Sequence, residues 1–268
     1  MLSSPNMTQP VTVLAHDPNS RPTLEIAESE RLQHQIDQMG EEVYRLLVGA
    51  VHDIRSEERG VMTSAQLLES ILGDSLPPDA RALLERLIAS SARVSTILAG
   101  VSRYAAALHS PGYSFRKVNL TCVVDAATVA LEQEIREAGA AISYSGLPEV
   151  WGDRDQLVEL FRSLLDNAIK YRSASSAKVE IEAQQVTGRK QDDVDFLFSV
   201  RDYGMGIGQQ HQRSLFCPFR RLHGPEIPGV GLGLLICRKI VEAHGGRLWI
   251  ESDTGCGLTA FFTLPVPA

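Results

Sequence analysis

Between Leu32 and Ala50 the apolar residues Leu32, Ile36, Met39, Val43, Leu46 and Ala50 recur at alternating spacings of four and three. Only an α-helix brings such positions to one side, and the alternation is that of a seam in a helical bundle. The rhythm continues through Val61, Ala65, Leu68 and Leu72. Gly73 and the segment Asp74-Ser75-Leu76-Pro77-Pro78 then supply a stop, a turn and the rigid start of another helix. A second amphipathic run through Leu83, Leu84, Leu87, Ile88, Val94, Leu98 and Val101 ends near Leu108, before Ser110-Pro111-Gly112. The pattern predicts a hairpin of two long helices over residues 24–110. Each helix keeps an apolar face that the other cannot cover, so the economical closure is a homodimer in which two hairpins form a four-helix bundle.

Residues 1–23 are rich in Pro, Ser, Asn and Thr without periodicity and read as a flexible leader with too little apolar surface to be a sensor domain. After Pro111 the texture alternates between strands and helices, which marks an α/β unit over residues 111–268. Strands are predicted over Lys117–Leu120, Ala141–Ser145, Lys178–Gln185, Phe196–Asp202, Arg247–Ser252 and Leu258–Leu264. Helices are predicted over Cys122–Ala138, Arg154–Tyr171 and Gly231–His244. The fold class is therefore α + α/β, a dimerising helical hairpin followed by an α/β domain.

The formal charge of −7 is spread along the chain, without the clustered Lys and Arg of a nucleic-acid binder. No apolar stretch approaches the roughly 18–20 residues that cross a bilayer, and MLSSPNMTQP lacks the basic and apolar regions of a signal peptide. A cytoplasmic location is expected. Cys122, Cys217, Cys237 and Cys256 are widely spaced, without a C-x-x-C pair, and read as free thiols rather than as a zinc site or disulfide framework.

Three segments of the α/β part each supply a different piece of a nucleotide site. In Leu164-Leu165-Asp166-Asn167-Ala168-Ile169-Lys170-Tyr171, the Asn167 amide oxygen is a hard, neutral ligand suited to Mg²⁺ already bound to phosphates. Lys170, three residues on, shares nearly the same helical face and is positioned for phosphate. In Asp202-Tyr203-Gly204-Met205-Gly206, a carboxylate at a strand end can accept from an adenine amino group, while Gly204 and Gly206 let backbone approach the base and ribose. Gly229-Val230-Gly231-Leu232-Gly233-Leu234 leads into a helix whose exposed N–H groups can cradle phosphates. Taken singly, each has a plain reading: a polar helix residue, a turn, a tight loop. The last is no dinucleotide fingerprint, because G-x-G-x-G has the wrong spacing and no βαβ unit surrounds it.

In this order the segments resemble the N, G1 and G2 boxes of the ATP-binding domain shared by histidine kinases, Hsp90, DNA gyrase and MutL. Ser214-Leu215-Phe216-Cys217-Pro218-Phe219-Arg220-Arg221-Leu222-His223 resembles the kinase F box beside a mobile ATP lid, here the short Gly224-Pro225-Glu226-Ile227-Pro228. Gly255-Cys256-Gly257-Leu258-Thr259-Ala260 resembles the family's closing strand, with Thr259 near adenine. Val51-His52-Asp53-Ile54-Arg55-Ser56 on the first helix resembles the H box of the dimerisation and histidine-phosphotransfer hairpin. The chain is thus similar to the catalytic core of sensor histidine kinases, and Asn167-Ala168-Ile169-Lys170-Tyr171-Arg172 is similar to the phytochrome-like members.

The resemblance implies an α/β sandwich that binds ATP and Mg²⁺, with Tyr171 and Leu234 also in the nucleotide site. It implies that His52 is phosphorylated, with Asp53 taking a proton from its ring, and that the phosphoryl group passes to an aspartate of a response regulator receiver domain on a separate protein. Ser56 is implied to orient water for a phosphatase reaction. An upstream sensor on a separate protein also fits. Two positions depart from the family: Glu57, where many members carry a helix-kinking proline, and Ser163, where many carry a further Asn. They motivate a competing reading, a degenerate kinase that scaffolds a regulator without turning over ATP. A second competitor, a serine kinase or related ATP-binding machine, is disfavoured by the His52 hairpin and the F box.

Overall fold

In a computed structural model the described residues are 20–108, 115–173, 177–187, 194–212, 214–222, 227 and 229–266. Residues 1–19 of the expected leader, the Ser110-Pro111-Gly112 turn and most of the short lid lie outside them, while residues 20–23, also expected in the leader, open the first helix. Helix α1 (Ser20–Leu72) runs unbroken through Glu57, followed by a short 3₁₀ turn (Gly73–Ser75) and helix α2 (Pro78–Leu108). Gly73 has φ +44°, a conformation that side chains other than glycine's rarely adopt, so the stop falls where the sequence places it. Contacts divide the chain at Glu42–Val43. The first unit is described only as the N-terminal stretch of α1, and the hairpin from Val43 onward belongs with the α/β part.

Inside the hairpin, Glu58 of α1 is buried against α2, where Ser91 Oγ donates to its Oε1 at 2.5 Å and Ser95 Oγ to its Oε2 at 2.8 Å. Those two hydroxyls, with help from Arg59 and Arg55, hold the Glu58 carboxyl below its ordinary value of 4.5. A carboxylate with a lowered folded pKa stabilises the fold above the unfolded value, and that contribution is lost as pH falls through the lowered one. Glu58→Gln is therefore expected to melt earlier than wild type near neutrality. The difference should shrink on acidification below 4.5, as read from thermal melts of both proteins at several pH values. A gap that does not change with pH would show that the carboxylate charge is irrelevant.

The hairpin leaves Met39, Leu46, Leu67, Ile71 and Leu83 more than half exposed. Among the described residues no helix is long and apolar enough to cross a membrane.

The α/β part is a two-layer sandwich. Strands β2 (Ala141–Tyr144), β4 (Lys178–Thr187), β5 (Val194–Asp202), β6 (Leu248–Asp253) and β7 (Gly257–Pro265) form a sheet of order β2-β4-β5-β7-β6. The β2–β4 pair is parallel and the other pairs are antiparallel. Period-two alternation sends Val179, Ile181, Phe198, Val200, Ala260, Phe262 and Leu264 to one face. Helices α3 (Leu120–Ala130), α5 (Arg154–Lys170) and α7 (Gly233–Ala243) cover that face, with Leu160, Phe161, Leu164, Ile236 and Ile240 completing the core, and α6 (Gln209–Gln212) is a single turn after β5. Phe262 stacks on Phe198 at 4.9 Å and meets Phe161 edge-on at 5.8 Å, tying sheet to helix layer.

Two local features differ from the sequence expectation. The single helix expected over Cys122–Ala138 is interrupted at Leu131 (φ −117°, ψ 19°) and resumes as α4 (Glu132–Ala138). Leu131 leaves helical geometry there to bury its side chain. Strand β3 (Glu149–Gly152) was not expected. It pairs antiparallel with β1 (Arg116–Asn119), and only Val150 and Trp151 carry apolar signal in it. Behind β3, buried His244 accepts from Asp153 N at 3.1 Å on Nε2 and is 2.8 Å from Ile240 O through Nδ1. That places the proton on Nδ1 and, with burial lowering the ring's pKa, makes the residue a neutral structural staple. The four cysteines are free, with Cys237 buried and the others exposed.

Candidate functional site

Helix α5 builds the floor of a cavity of about 230 Å³. Asp153 caps the helix by accepting from Asp155 N and Gln156 N at 2.9 and 3.1 Å. Its apolar face, from Leu157 to Ile169, locks into the core, so the opposite edge carrying Ser163, Asp166, Asn167 and Lys170 is held toward the cavity. The Asn167 side chain has no hydrogen-bond partner among the described residues and lies against the glycine loop. A Cβ on Gly233 would meet its Nδ2 at 3.4 Å and its Oδ1 at 3.5 Å. No cluster of three or more His, Cys, Asp or Glu occurs among the described residues, so a divalent ion finds no ready-made cage here. An uncommitted amide oxygen beside a phosphate-type loop fits an ion that arrives already bound to phosphates. Lys170 borders the cavity, but Asp166 holds its Nζ at 2.5 Å.

Strand β5 delivers Asp202 at its C-terminal end. Asp202 Oδ1 accepts from Gly204 N at 2.9 Å and from Leu258 N at 3.1 Å, and Oδ2 has no partner among the described residues. Burial pushes the carboxyl above its ordinary value, opposed by the two backbone donors. The turn after it is fastened to α5 by Met205 N donating to Tyr171 O at 2.9 Å. Gly204 permits this approach, since a Cβ there would sit 2.3 Å from the same carbonyl.

The third wall is the loop Gly229–Leu232 leading into α7. Gly231 has φ +76°, and a Cβ on it would lie 2.6 Å from Arg220 O, so only glycine fits. The N-cap, Leu232, offers no side-chain hydrogen bond, which leaves first-turn N–H groups available to an anion. Arg220 and Arg221 border the same space, and Arg221 is held by Ile227 O.

The cavity thus brings together Asn167, Lys170, Tyr171, Asp202, Gly206, Gly229, Gly231, Gly233 and Leu234. Gly204 and Thr259, also expected in the site, are not among the residues that border the cavity. Gly204 serves the turn's packing against Tyr171 rather than the cavity surface. Thr259 lies between Leu258 and Ala260, which do line the cavity, and strand alternation sends it to the other face of β7. Missed by sequence reasoning were Thr96, Gly100 and Arg103 of α2, because a wall donated by a distant helix leaves no local motif.

His52, Asp53 and Ser56 stand on α1 and do not line the cavity. The His52 and Asp53 side chains are 78% and 86% exposed, with Nδ1 3.4 Å from Asp53 Oδ1. His52 Nε2 has no partner among the described residues. His223 of the F-box segment lies outside them.

Residues 152–268 match the family model described as histidine kinase-, DNA gyrase B- and HSP90-like ATPase. The chain is 35% identical over 240 residues to cyanobacterial phytochrome A of Nostoc sp. (strain PCC 7120), covering 89% of this chain and 30% of that protein. It is 30% identical over 246 residues to the adaptive-response sensory kinase SasA of Prochlorococcus marinus, covering 89% and 60%. It therefore spans less than a third of the phytochrome's length. Among solved structures, full-length ShkA in complex with AMPPNP shares the fold at TM-score 0.58 and 24% identity, over 84% of this chain and 46% of that one. ThkA in complex with the response regulator TrrA shares it at TM-score 0.55 and 21% identity, over 88% and 66%. Residues 152–268 belong to the histidine kinase-, DNA gyrase B- and HSP90-like ATPase family, and the relatives whose match extends across the helical hairpin include histidine and sensory kinases.

Proposed function

We propose that the chain is the cytoplasmic core of a two-component histidine kinase. In this reading it autophosphorylates His52 from Mg²⁺-ATP and passes the phosphoryl group to a receiver aspartate of a response regulator. The observation that carries the reading is one cavity combining an uncommitted amide at Asn167, a free carboxylate oxygen at Asp202 and an uncapped helix N-terminus at Gly233, on a chain whose hairpin displays an exposed imidazole. Residues 24–110 act as the dimerisation and phosphotransfer hairpin and 111–268 as the catalytic domain. The exposed apolar side chains of Leu46, Leu67, Ile71 and Leu83 support a homodimer, because a second hairpin would cover them.

Asp202 Oδ2 accepts from the adenine amino group, and the N–H groups around Gly231 to Leu234 hold the phosphates. Asn167 is the protein ligand for Mg²⁺, which when bound supplies charge neutralisation at the triphosphate. Catalysis rests on alignment, so the catalytic domain must move to bring its nucleotide to His52. The Nε2 lone pair attacks the γ-phosphorus, the bond to the ADP oxygen breaks, and the Nδ1 proton leaves toward Asp53. In the reverse sense of signalling, Ser56 orients water at a phosphoaspartate. A separate upstream sensor would set the balance between these activities.

The test is incubation of the purified chain with γ-labelled Mg²⁺-ATP. Acid-labile, base-stable label on the chain, chased onto a receiver domain, is the expected result. A folded dimer that binds ATP and takes no label would instead favour the scaffold reading, for which Glu57 and Ser163 are the motive.

A further inference from the structure

Helix α2 contributes Thr96, Gly100 and Arg103 to the cavity wall, although it lies outside the family-matched segment. Gly100 and Arg103 are one turn apart on the same face. Gly100 abuts the glycine loop: a Cβ there would meet Val230 Cγ2 at 3.3 Å and Leu232 Cδ1 at 3.4 Å. Arg103 reaches α5, where Nε donates to Glu159 Oε1 and Nη2 donates to Ser163 Oγ, both at 2.7 Å. Ser163 precedes Asn167 by one helical turn, so Arg103 sits at the end of the cavity formed by Asn167 and the Gly229–Gly233 loop, where the phosphates are placed.

The electrostatics at this end are unbalanced. Glu159 also accepts from Arg162, Nε to Oε2 at 3.0 Å and Nη2 to Oε2 at 2.9 Å, so two guanidinium groups share one carboxylate. The neighbouring Lys170–Asp166 pair is neutral, and Arg220 and Arg221 add further positive charge to the same cavity. Arg103 Nη1 has no partner among the described residues. Its Nε and Nη2 are already anchored, so Nη1 can offer N–H donors with little further loss of side-chain freedom.

We propose that Arg103 is a specificity-determining residue of the nucleotide site: fixed by Glu159 and Ser163, its guanidinium meets the terminal phosphate of a nucleoside triphosphate, which a diphosphate lacks. The inference rests on the nucleotide reading above and extends it to the hairpin, because it makes α2 the element that reads whether the γ-phosphate is present. Ser163 then has a purpose at the family's Asn position. It accepts from Arg103 Nη2 and is 1% exposed, which an undemanding surface serine would not be.

The test is equilibrium binding of a non-hydrolysable ATP analogue and of ADP, each with Mg²⁺, to the full chain and to Arg103→Ala, Arg103→Gln and Arg103→Lys. Loss of a charged hydrogen bond predicts about 10- to 100-fold weaker analogue binding in the Ala variant, with ADP affinity changed less than about twofold. Arg103→Gln is neutral but able to keep a bond to Glu159. It should lose the same discrimination with the α2–α5 tie retained, and Arg103→Lys should recover part of it. If the variants weaken both nucleotides equally, or neither, Arg103 only ties α2 to α5 and the proposal falls. If wild type binds both nucleotides through Asn167 but shows no Arg103-dependent ratio, this assignment alone fails. Wild type binding neither nucleotide would overturn the nucleotide reading together with it.

Discussion

His52→Gln should abolish acid-labile labelling of the chain while leaving ATP affinity unchanged. The imidazole is exposed, Nδ1 faces Asp53 at 3.4 Å, and Nε2 has no competing bond among the described residues, which is the arrangement of a nitrogen nucleophile available to an incoming phosphorus. Glutamine is close in length and a good helix former, and substitution at an exposed position away from caps and packing typically shifts stability by only about 0.5 kcal/mol. Its amide nitrogen, however, has its lone pair delocalised into the carbonyl and cannot form a stable phosphoramidate at neutral pH. Labelling should therefore fall to background rather than by a partial factor. His52 does not line the cavity, so nucleotide binding measured on the same preparation should be untouched. Label persisting on the variant would place the acceptor elsewhere and revive a serine-kinase reading. Joint loss of label and nucleotide binding would show a folding defect rather than a missing nucleophile.

Legibility in the sequence followed the range of the interactions concerned. The hairpin could be read because its cause is local: a four-three apolar rhythm, Gly73 with positive φ, and Pro78 opening α2. The central strands could be read because alternation in β4, β5 and β7 follows directly from one buried face. The break at Leu131 and strand β3 could not, since Leu131 is turned inward by neighbouring elements and β3 exists by virtue of its partner β1. Cavity residues on α5, on the Asp202 turn and on the glycine loop each carry their own motif. Thr259 alternates with the cavity-lining Leu258 and Ala260, a strand parity that its motif alone does not display. Arg103 was invisible for the opposite reason. Its role depends on a helix 56 residues before Glu159 in sequence packing against α5, and its neighbours read simply as the end of an amphipathic helix. Ser163 looked like a loss of a ligand in the sequence and becomes an anchor for that arginine in the structure.

Asp202→Asn should weaken ATP binding by about 100-fold and narrow the preference for adenine over guanine nucleotides. The two carboxylate oxygens have separate duties: Oδ1 is engaged by Gly204 N and Leu258 N, and Oδ2, without a partner among the described residues, can accept a hydrogen bond from the amino group of the base. An asparagine that keeps the two backbone donors satisfied must place its oxygen on them, which turns Nδ2, a donor, toward the base. Adenine's amino group then meets another donor inside a half-buried cavity. The charge-assisted bond is lost, and an unpaired polar contact replaces it at a cost of about 1–3 kcal/mol in addition. Guanine, with an acceptor at the corresponding ring position, is relieved of the clash, so the ratio of ATP to GTP affinity should fall further than either affinity alone suggests. In wild type, burial raises the carboxyl above its usual value of 3.8. Protonation as pH falls through that raised value should remove the acceptor and weaken ATP binding, a dependence that Asp202→Asn should lack. Titrating both nucleotides into both proteins across this acid range gives the answer. An unchanged nucleotide preference in a folded variant would mean that Asp202 organises the turn through its backbone bonds and never touches the base.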